Sequence, residues 1–114
     1  MMPWKSCVAI TAAALLMLAA VPFAHAQDVQ FTINIKNHKF DPAEIEAPAG
    51  KRIKLLVKNL DDTAEEFESL DLHREKIVAA GSEITVYVGP LSPGKYEFFG
   101  DFHQDTARGH ITVK

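Results

Sequence analysis

The stretch "SEITVYVGPLSPGKYEFFGDF", residues 82–102, carries the clearest structural signal of the chain. In its first half, apolar residues alternate with polar ones through Ile84, Val86 and Val88, which predicts a strand with one buried face. The turn residues of "GPLSPG" (89–94) follow, and an aromatic run of strand type comes after them. The stretch therefore predicts two strands joined by a turn.

Similar short runs fill the chain on either side of this stretch. "VQFTINI" (29–35) alternates in the same way, and "KRIKLLVKNL" (51–60) is rich in aliphatic residues. No window of helical length has a 3.6-residue period with caps, and turn signals recur about every 8–12 residues. We therefore predict an all-β fold, a Greek-key β-sandwich of about seven strands in two antiparallel sheets. Segment 61–81 is the least regular, and a single helical turn would fit there.

The first residues have the pattern of a secretory signal. Lys5 precedes the apolar run "CVAITAAALLMLAAVPFA" (7–24), and "AHA" (24–26) fits a small-x-small cleavage site. The alternative is a membrane anchor, but the run is short for a span. We predict a cleaved signal over 1–26 and one domain over 27–114. The single cysteine, the three methionines and the tryptophan all precede residue 27, so the domain itself contains neither Cys nor Met.

The charge pattern argues against a nucleic-acid partner. The chain has a formal net charge of −3, whereas nucleic-acid binding favours a basic patch. Its acidic residues gather in "DDTAEEFESLD" (61–71). Such a segment is either a solvated face or a cation site.

Two long segments resemble the cupredoxins. They are "HKFDPAEIEAPAGKRIKLLVKN" (38–59) and "AAGSEITVYVGPLSPGKYEFFG" (79–100), the second of which leads into the loop that carries metal ligands in that superfamily. The order and spacing of these segments carry the resemblance over nearly all of the domain. It implies a cupredoxin-like sandwich.

Three shorter segments resemble, more narrowly, the cupredoxin-like components of bacterial iron uptake systems. They are "EEFES" (65–69), "REKIVAAGS" (74–82) and "FFGDFH" (98–103). The resemblance implies a periplasmic protein that binds Fe(II) and works with an inner-membrane iron permease and other periplasmic uptake components. Whether such a protein oxidises Fe(II), with a partner as electron acceptor, or only carries the ion stays open at this point.

The same resemblance excludes a type 1 copper centre, which needs a Cys thiolate, two His and usually an axial Met. Family spacing puts Gly100 at the cysteine position and His103 at the second histidine position. The axial position falls near Arg108, and the first histidine position falls in "EEFES" (65–69). Three of the four ligands are absent, so we expect no blue-copper electron transfer.

Carboxylates stand where those ligands are missing, and we predict a carboxylate–histidine metal site made of Glu66, Glu68, Asp101 and His103. Alternation puts Glu66 and Glu68 on one side of a strand, with Phe67 pointing into the core. Carboxylates with imidazole suit Fe(II), Fe(III), Mn(II), Zn(II) or Cu(II), but not Cu(I). Among these ions we expect iron or copper(II). Two carboxylates so close together are unfavourable unless a cation or an arginine lies between them, which gives the cluster a physical reason to bind metal.

Three further residues have roles that the sequence leaves open. His38, His73 and Asp105 are each either additional ligands or ordinary loop and turn residues. Two functions also stay as alternatives to the iron-uptake accessory. One is a non-catalytic periplasmic carrier of copper(II) or iron, and the other is a metal-free β-sandwich that serves as an interaction module.

Overall fold

The computed structural model describes residues 28–114, so the predicted signal over 1–26 lies outside the described residues. Within the described part there are nine strands and one 3₁₀ helix, Asp101–His103, which we call the 3₁₀ turn. Residues 28–114 form no helix with the length and hydropathy of a membrane span. In chain order the strands are β1 (Val29–Lys36), β2 (Lys39–Asp41), β3 (Glu44–Ala47), β4 (Ile53–Asn59), β5 (Glu65–Ser69), β6 (Arg74–Val78), β7 (Glu83–Val88), β8 (Gly94–Gly100) and β9 (Arg108–Val113).

The strands form two sheets, which confirms the predicted all-β sandwich. One sheet has the order β2-β1-β4-β7 and the other has the order β3-β9-β8-β5-β6. The prediction that both sheets are antiparallel is wrong, because β1 pairs with β4, and β3 with β9, in parallel. The chain leaves the first sheet after β2 and returns to it with β4, which brings β4 beside β1 in the same direction. Side-chain alternation has a period of two in both arrangements, so the sequence pattern does not distinguish them.

Two of the nine strands exceed the predicted number of about seven. Strand β2 follows a two-residue turn, Asn37–His38, in which both residues have positive φ (52° and 58°) although neither is glycine. Strand β6 lies at a sheet edge, and its side chains from Arg74 to Ile77 are exposed, so it lacks the alternation that marks a half-buried strand. The helical turn considered for 61–81 is absent, and a β5–β6 hairpin occupies most of that segment.

Aromatic rings fill the core between the sheets. The rings of Phe40 and Phe98 meet edge to face at 5.1 Å between centroids, and Phe67 lies 5.3 Å from Phe98. These three side chains are at most 5% exposed. Burial of each contributes about 1.5–3 kcal/mol to the free energy of folding. The apolar core ends beside Ala107 and Glu65, where the candidate site begins.

Candidate metal centre

Strand β5 and the end of β8 form the candidate site. These strands pair antiparallel at Phe67↔Gly100 and Glu68↔Phe99. The 3₁₀ turn follows β8 directly, so residues 101–103 lie beside the beginning of β5. The segment "EEFES" and the loop after Gly100 therefore meet at one end of the sandwich.

Alternation along β5 divides its three glutamates between the two faces of the sheet. Glu65 and Phe67 point inward and are 1% and 0% exposed. Glu66 and Glu68 point to the outer face, as the two-residue period of a strand requires. Neighbouring carboxylates of one strand therefore lie in two separate environments.

On the outer face, Glu66, Glu68 and Asp101 form a group that we call the outer cluster. One carboxylate oxygen from each lies within 4.8 Å of the others. Glu75 of β6 stands opposite Glu68 in the register and adds a fourth carboxylate nearby. Within residues 28–114, no member of the outer cluster forms a salt bridge. The outer cluster therefore concentrates negative charge without a protein cation.

This crowding changes the acidity of two of the carboxyl groups. A hydrogen bond with Glu75 raises the pKa of Glu66 to about 7, and burial and the nearby charges of Glu75, Asp101 and Glu68 act in the same direction. Burial raises the pKa of Glu68, as do the charges of Asp101 and Glu75, while its hydrogen bond with Glu66 acts in the opposite direction. A cation placed among these groups would relieve their repulsion.

On the inner face, Glu65 forms an arrangement that we call the Glu65 hub. Its Oε2 lies 2.5 Å from Nδ1 of His103, and its Oε1 accepts hydrogen bonds from the backbone N–H groups of Phe102 (2.9 Å) and Glu66 (3.0 Å). The Glu65 side chain is 2% exposed and that of His103 is 25% exposed. A buried carboxylate is tolerated when several donors satisfy it, and Glu65 has three.

Gly100 makes room for this buried carboxyl group. A Cβ atom at residue 100 would lie 2.6 Å from the carboxyl carbon of Glu65 and 2.7 Å from Cβ of Ala107. Any side chain at this position, a cysteine included, would collide with Glu65. The donor set thus lacks a thiolate, and the Glu65 carboxyl group fills the space beside residue 100. The residues present do not fit a type 1 copper ion.

His38 stacks on the imidazole ring of His103. The two imidazole rings are 3.5 Å apart between centroids and 12° from parallel. The carboxylate of Asp61 holds the turn that carries His38, because it accepts the backbone N–H groups of Asn37 (2.7 Å) and His38 (3.0 Å). Burial raises the pKa of Asp61, but these two hydrogen bonds lower it by more. The pKa of Asp61 therefore lies below its usual value. His38 therefore supports His103.

The structure brings together three of the four predicted site residues and directs the fourth elsewhere. Glu66, Glu68 and Asp101 meet in the outer cluster, whereas His103 is bonded to Glu65 and does not belong to that group. Sequence reasoning missed Glu65, although alternation with Phe67 was a signal that it points inward and needs a partner. It also missed Glu75, whose place opposite Glu68 depends on the β5–β6 hairpin.

The residues whose roles were left open lie in different places. His38 stacks on His103, as described above. His73 lies in the turn between β5 and β6, at the end of β5 remote from Glu65, and it is exposed. Asp105 is an exposed turn residue after the 3₁₀ turn. Neither His73 nor Asp105 belongs to the outer cluster.

The sequence matches a known family over most of its length. The description of that family is "Cupredoxin-like domain", and the match covers residues 8–113. The chain belongs to the cupredoxin-like domain family. This cupredoxin-like protein is 56% identical over 85 residues to the uncharacterized protein RP394 of Rickettsia prowazekii (strain Madrid E). The similarity covers 75% of this chain and 68% of that protein.

Several solved structures share the fold of this cupredoxin-like protein. Auracyanin A, a "blue" copper protein from Chloroflexus aurantiacus, superimposes with a TM-score of 0.67 at 14% identity, over 77% of this chain and all of its own. The metal binding domain of the Cu(I) exporting P-type ATPase CopA from Streptococcus pneumoniae D39 also gives 0.67, at 15% identity, over 78% of this chain and 97% of its own. The purple cupredoxin from Nitrosopumilus maritimus gives 0.57 at 20% identity, over 76% of this chain and all of its own.

These similarities confirm the cupredoxin-like fold that the sequence predicted. At 14–20% identity they carry no information about which residues bind metal. The association with iron uptake and the periplasmic location stay predictions. The ligand set of Glu66, Glu68, Asp101 and His103 likewise stays a prediction, which the geometry described above refines.

Proposed function

We propose that this protein is a periplasmic accessory of a bacterial iron uptake system that binds iron at the outer cluster and passes it to an inner-membrane permease. One observation carries the proposal: Glu66, Glu68 and Asp101 converge on the outer face, and in the described part of the chain none of them forms a salt bridge. A secreted domain, as the signal pattern of residues 1–26 predicts, would meet iron in the compartment where uptake begins.

The donor chemistry favours iron over softer ions. Carboxylate oxygens are hard ligands and suit Fe(II), Fe(III) or Mn(II), whereas copper(I) prefers thiolate and thioether sulfur. The described residues 28–114 contain neither Cys nor Met. Because Fe(III) carries more charge than Fe(II), it gains more from three anionic ligands, and the site would therefore favour the ferric form. Oxidation of bound Fe(II) would require an external electron acceptor.

The position of the outer cluster suits transfer of an ion to another protein. The cluster lies on the outer surface of a sheet, and Asp101 follows β8 directly at one end of the sandwich. Glu66 is buried, but Glu68 and Asp101 are partly exposed, so a partner could reach a bound ion through these two carboxylates. This placement supports hand-over to a permease or to another uptake component.

Copper(II) is the second candidate ion. The purple cupredoxin and auracyanin A share this fold, and the latter is described as a "blue" copper protein. Copper(II) also accepts mixed carboxylate and imidazole ligands, and His103, which stacks on His38, follows Asp101 by two residues in the chain. A periplasmic carrier of copper(II) would use the same loop.

Metal titration of a matched pair of variants tests the proposal. Wild-type protein, expressed from the full-length sequence, is titrated by calorimetry with Fe(II) under anaerobic conditions, and with Mn(II), Zn(II) and Cu(II). We expect E66Q/E68Q to lower the affinity for Fe(II) and Mn(II) at least tenfold. The control E44Q/E46Q also removes two carboxylates at alternate positions of a strand in the same sheet, and we expect it to change affinity less than twofold.

Three results would contradict the proposal. They are no Fe(II) or Mn(II) binding by the wild-type protein, equal effects of the two double variants, and a preference for Cu(II) that E66Q/E68Q leaves unchanged. Consumption of Fe(II) with and without an added electron acceptor then separates an oxidase from a carrier.

A further inference from the structure

We infer that Glu65 is a positioning residue. Its carboxyl group takes the place of a metal ion in the space beside Gly100, and it holds Asp101 close to Glu66. The outer cluster is therefore formed before an ion arrives. The inference rests on the proposed function, because the outer cluster must bind the ion for its positioning to matter. It assigns a role to the buried carboxylate that the sequence analysis missed.

A single oxygen atom of Glu65 connects the two segments that supply the ligands. Oε1 accepts the backbone N–H of Glu66, a member of the outer cluster on β5. The same Oε1 accepts the backbone N–H of Phe102, the residue directly after Asp101. Because both hydrogen bonds end on one atom, the backbones beside the ligands Glu66 and Asp101 are held at a fixed separation.

The second oxygen atom of Glu65 fixes the 3₁₀ turn from its other end. Oε2 bonds to His103 Nδ1, and the ring of His103 rests against His38. Hydrogen bonds to a buried carboxylate are strong, and water and salt screen them little. The turn that carries Asp101 is therefore attached to Glu65 through both Phe102 and His103.

The remaining connections between β5 and this loop are few. Strands β5 and β8 pair only at Phe67↔Gly100 and Glu68↔Phe99. Backbone bonds from Gly100 to Ala107 and from Ala107 to His103 lie within the loop itself, and they do not reach β5. Without the Glu65 hub, the distance from Asp101 to Glu66 and Glu68 would depend on those two residue pairs and on the hydrogen bond that Ser69 Oγ of β5 donates to the Glu97 carbonyl of β8.

Gly100 makes this arrangement possible. The missing Cβ at residue 100 leaves the space that the Glu65 carboxyl group occupies. A side chain there would displace Glu65 and with it the hydrogen bonds to the turn. Gly100 thus has two effects. It leaves the site without the thiolate of a type 1 copper centre, and it gives the Glu65 carboxyl group the space to lie there instead.

The experiment compares E65Q with three other proteins in Mn(II) binding, measured by calorimetry on protein expressed from the full-length sequence. Wild type is the reference, E97Q removes one exposed carboxylate from the same sheet, and V88A removes buried apolar contacts in the opposite sheet. Val88 is 2% exposed and lies in β7, away from the hub. We expect E65Q to bind Mn(II) about tenfold more weakly than wild type, the usual range when a carboxylate that supports metal ligands is lost. We expect E97Q and V88A to stay within twofold of wild type.

A spectroscopic measurement separates positioning from general loss of stability. In wild type, the proton between His103 Nδ1 and Glu65 should give a strongly deshielded ¹H resonance, and the Phe102 amide should exchange slowly with solvent. E65Q should lose this resonance. It should also speed the exchange of the Phe102 amide, because an amide oxygen accepts a hydrogen bond less strongly than a carboxylate does. V88A should change neither property at temperatures where it is folded.

Each outcome decides between the two ideas. Failure of wild type to bind Mn(II) overturns the proposed function, and the role of Glu65 falls with it. Binding by wild type with equal affinity in E65Q and E97Q overturns only the inference. If E65Q does not fold, G100A decides, because its Cβ displaces the Glu65 carboxyl group and keeps every donor. Equal Mn(II) affinity of G100A and the control G94A, whose Cβ would meet nothing closer than 3.6 Å, would then overturn the inference.

Discussion

Glu65 and Glu66 are neighbours in the chain, yet their carboxyl groups lie in opposite electrostatic environments. Glu65 points inward and receives three hydrogen-bond donors, among them His103. Glu66 points outward and faces Glu68, Glu75 and Asp101. The difference teaches that the two-residue period of a strand can assign adjacent carboxylates to separate tasks. The inner carboxylate is satisfied and stabilises the fold, whereas the outer carboxylates repel one another and favour a ligand.

Glu65→Ala should have the largest effect on stability, because it removes the inner carboxylate, whose hydrogen bonds are all satisfied. The substitution leaves His103 and two backbone N–H groups without their acceptor in a buried place. Each buried hydrogen-bonding group that loses its partner costs about 1–3 kcal/mol. Urea denaturation should report this loss, and Glu97→Ala at an exposed position should change stability by less than about 0.5 kcal/mol. A loss of similar size in both variants would refute the role of the hub.

Gly100→Ala should come next, because it crowds the hub without removing any of its donors. The new Cβ would lie 2.6 Å from the Glu65 carboxyl carbon and 2.7 Å from Ala107 Cβ. Overpacking of this kind costs about 1–3 kcal/mol. Thermal denaturation should show the loss, whereas Gly94→Ala, with nothing within 3.6 Å of its Cβ, should be nearly neutral. A neutral Gly100→Ala would mean that the Glu65 carboxyl group is free to move.

Glu66→Gln should change the pH dependence of stability, which tests the unsatisfied side of the comparison. The pKa of Glu66 is about 7 in the folded protein against an ordinary value of 4.5. The folded protein therefore binds more protons than the unfolded chain between these two values, and stability falls as pH rises through the window. In chelator-treated protein, Glu66→Gln should match wild type near pH 4.5 and exceed its melting temperature above pH 7. If the melting temperature of the wild-type protein rises with pH over this window, the carboxylates of the outer cluster are not crowded as described.

His38→Gly should have the smallest effect, and it measures what the imidazole stack adds to the hub. Glycine relieves the positive φ of 58°, worth about 1 kcal/mol, while loss of the stack acts in the opposite direction. We expect a net change within about 0.5 kcal/mol in the free energy of unfolding. His73→Gly is the matched control, because His73 has a φ of 55° and is exposed. If the two variants stabilise the protein equally, the stack contributes nothing.

The fold was predictable because its signal is local. Alternation of apolar residues in "VQFTINI" and "SEITVYV" marks strands with one buried face, and the structure buries Ile33, Ile35, Val86 and Val88 as that pattern requires. The parallel pairing of β1 with β4 was not predictable, because it depends on the path of the chain between sheets and leaves the alternation unchanged. Strand β6 was missed because it is a charged sheet edge.

Only the outer cluster of the candidate site was predictable from the sequence. Period two places Glu66 and Glu68 together, and family spacing places Asp101 near them. The partner of His103 was missed because Glu65 reads as one more acid in an acidic run. Its inward position becomes meaningful only when the N–H of Phe102, which is 37 residues away in the chain, is known to reach it.

Strands β5 and β8 pair over only two residue pairs, and this short pairing has a consequence for the folding kinetics. Strand β5 joins β6 through a nearby turn, but it meets β8 only after a loop of about 30 residues closes, and local pairings form faster than distant ones. Asp101 should therefore reach Glu66 and Glu68 late in folding, after the transition state. Interactions that form after the transition state act on the unfolding rate. A bound ion should thus slow the unfolding of this protein and leave its folding rate nearly unchanged.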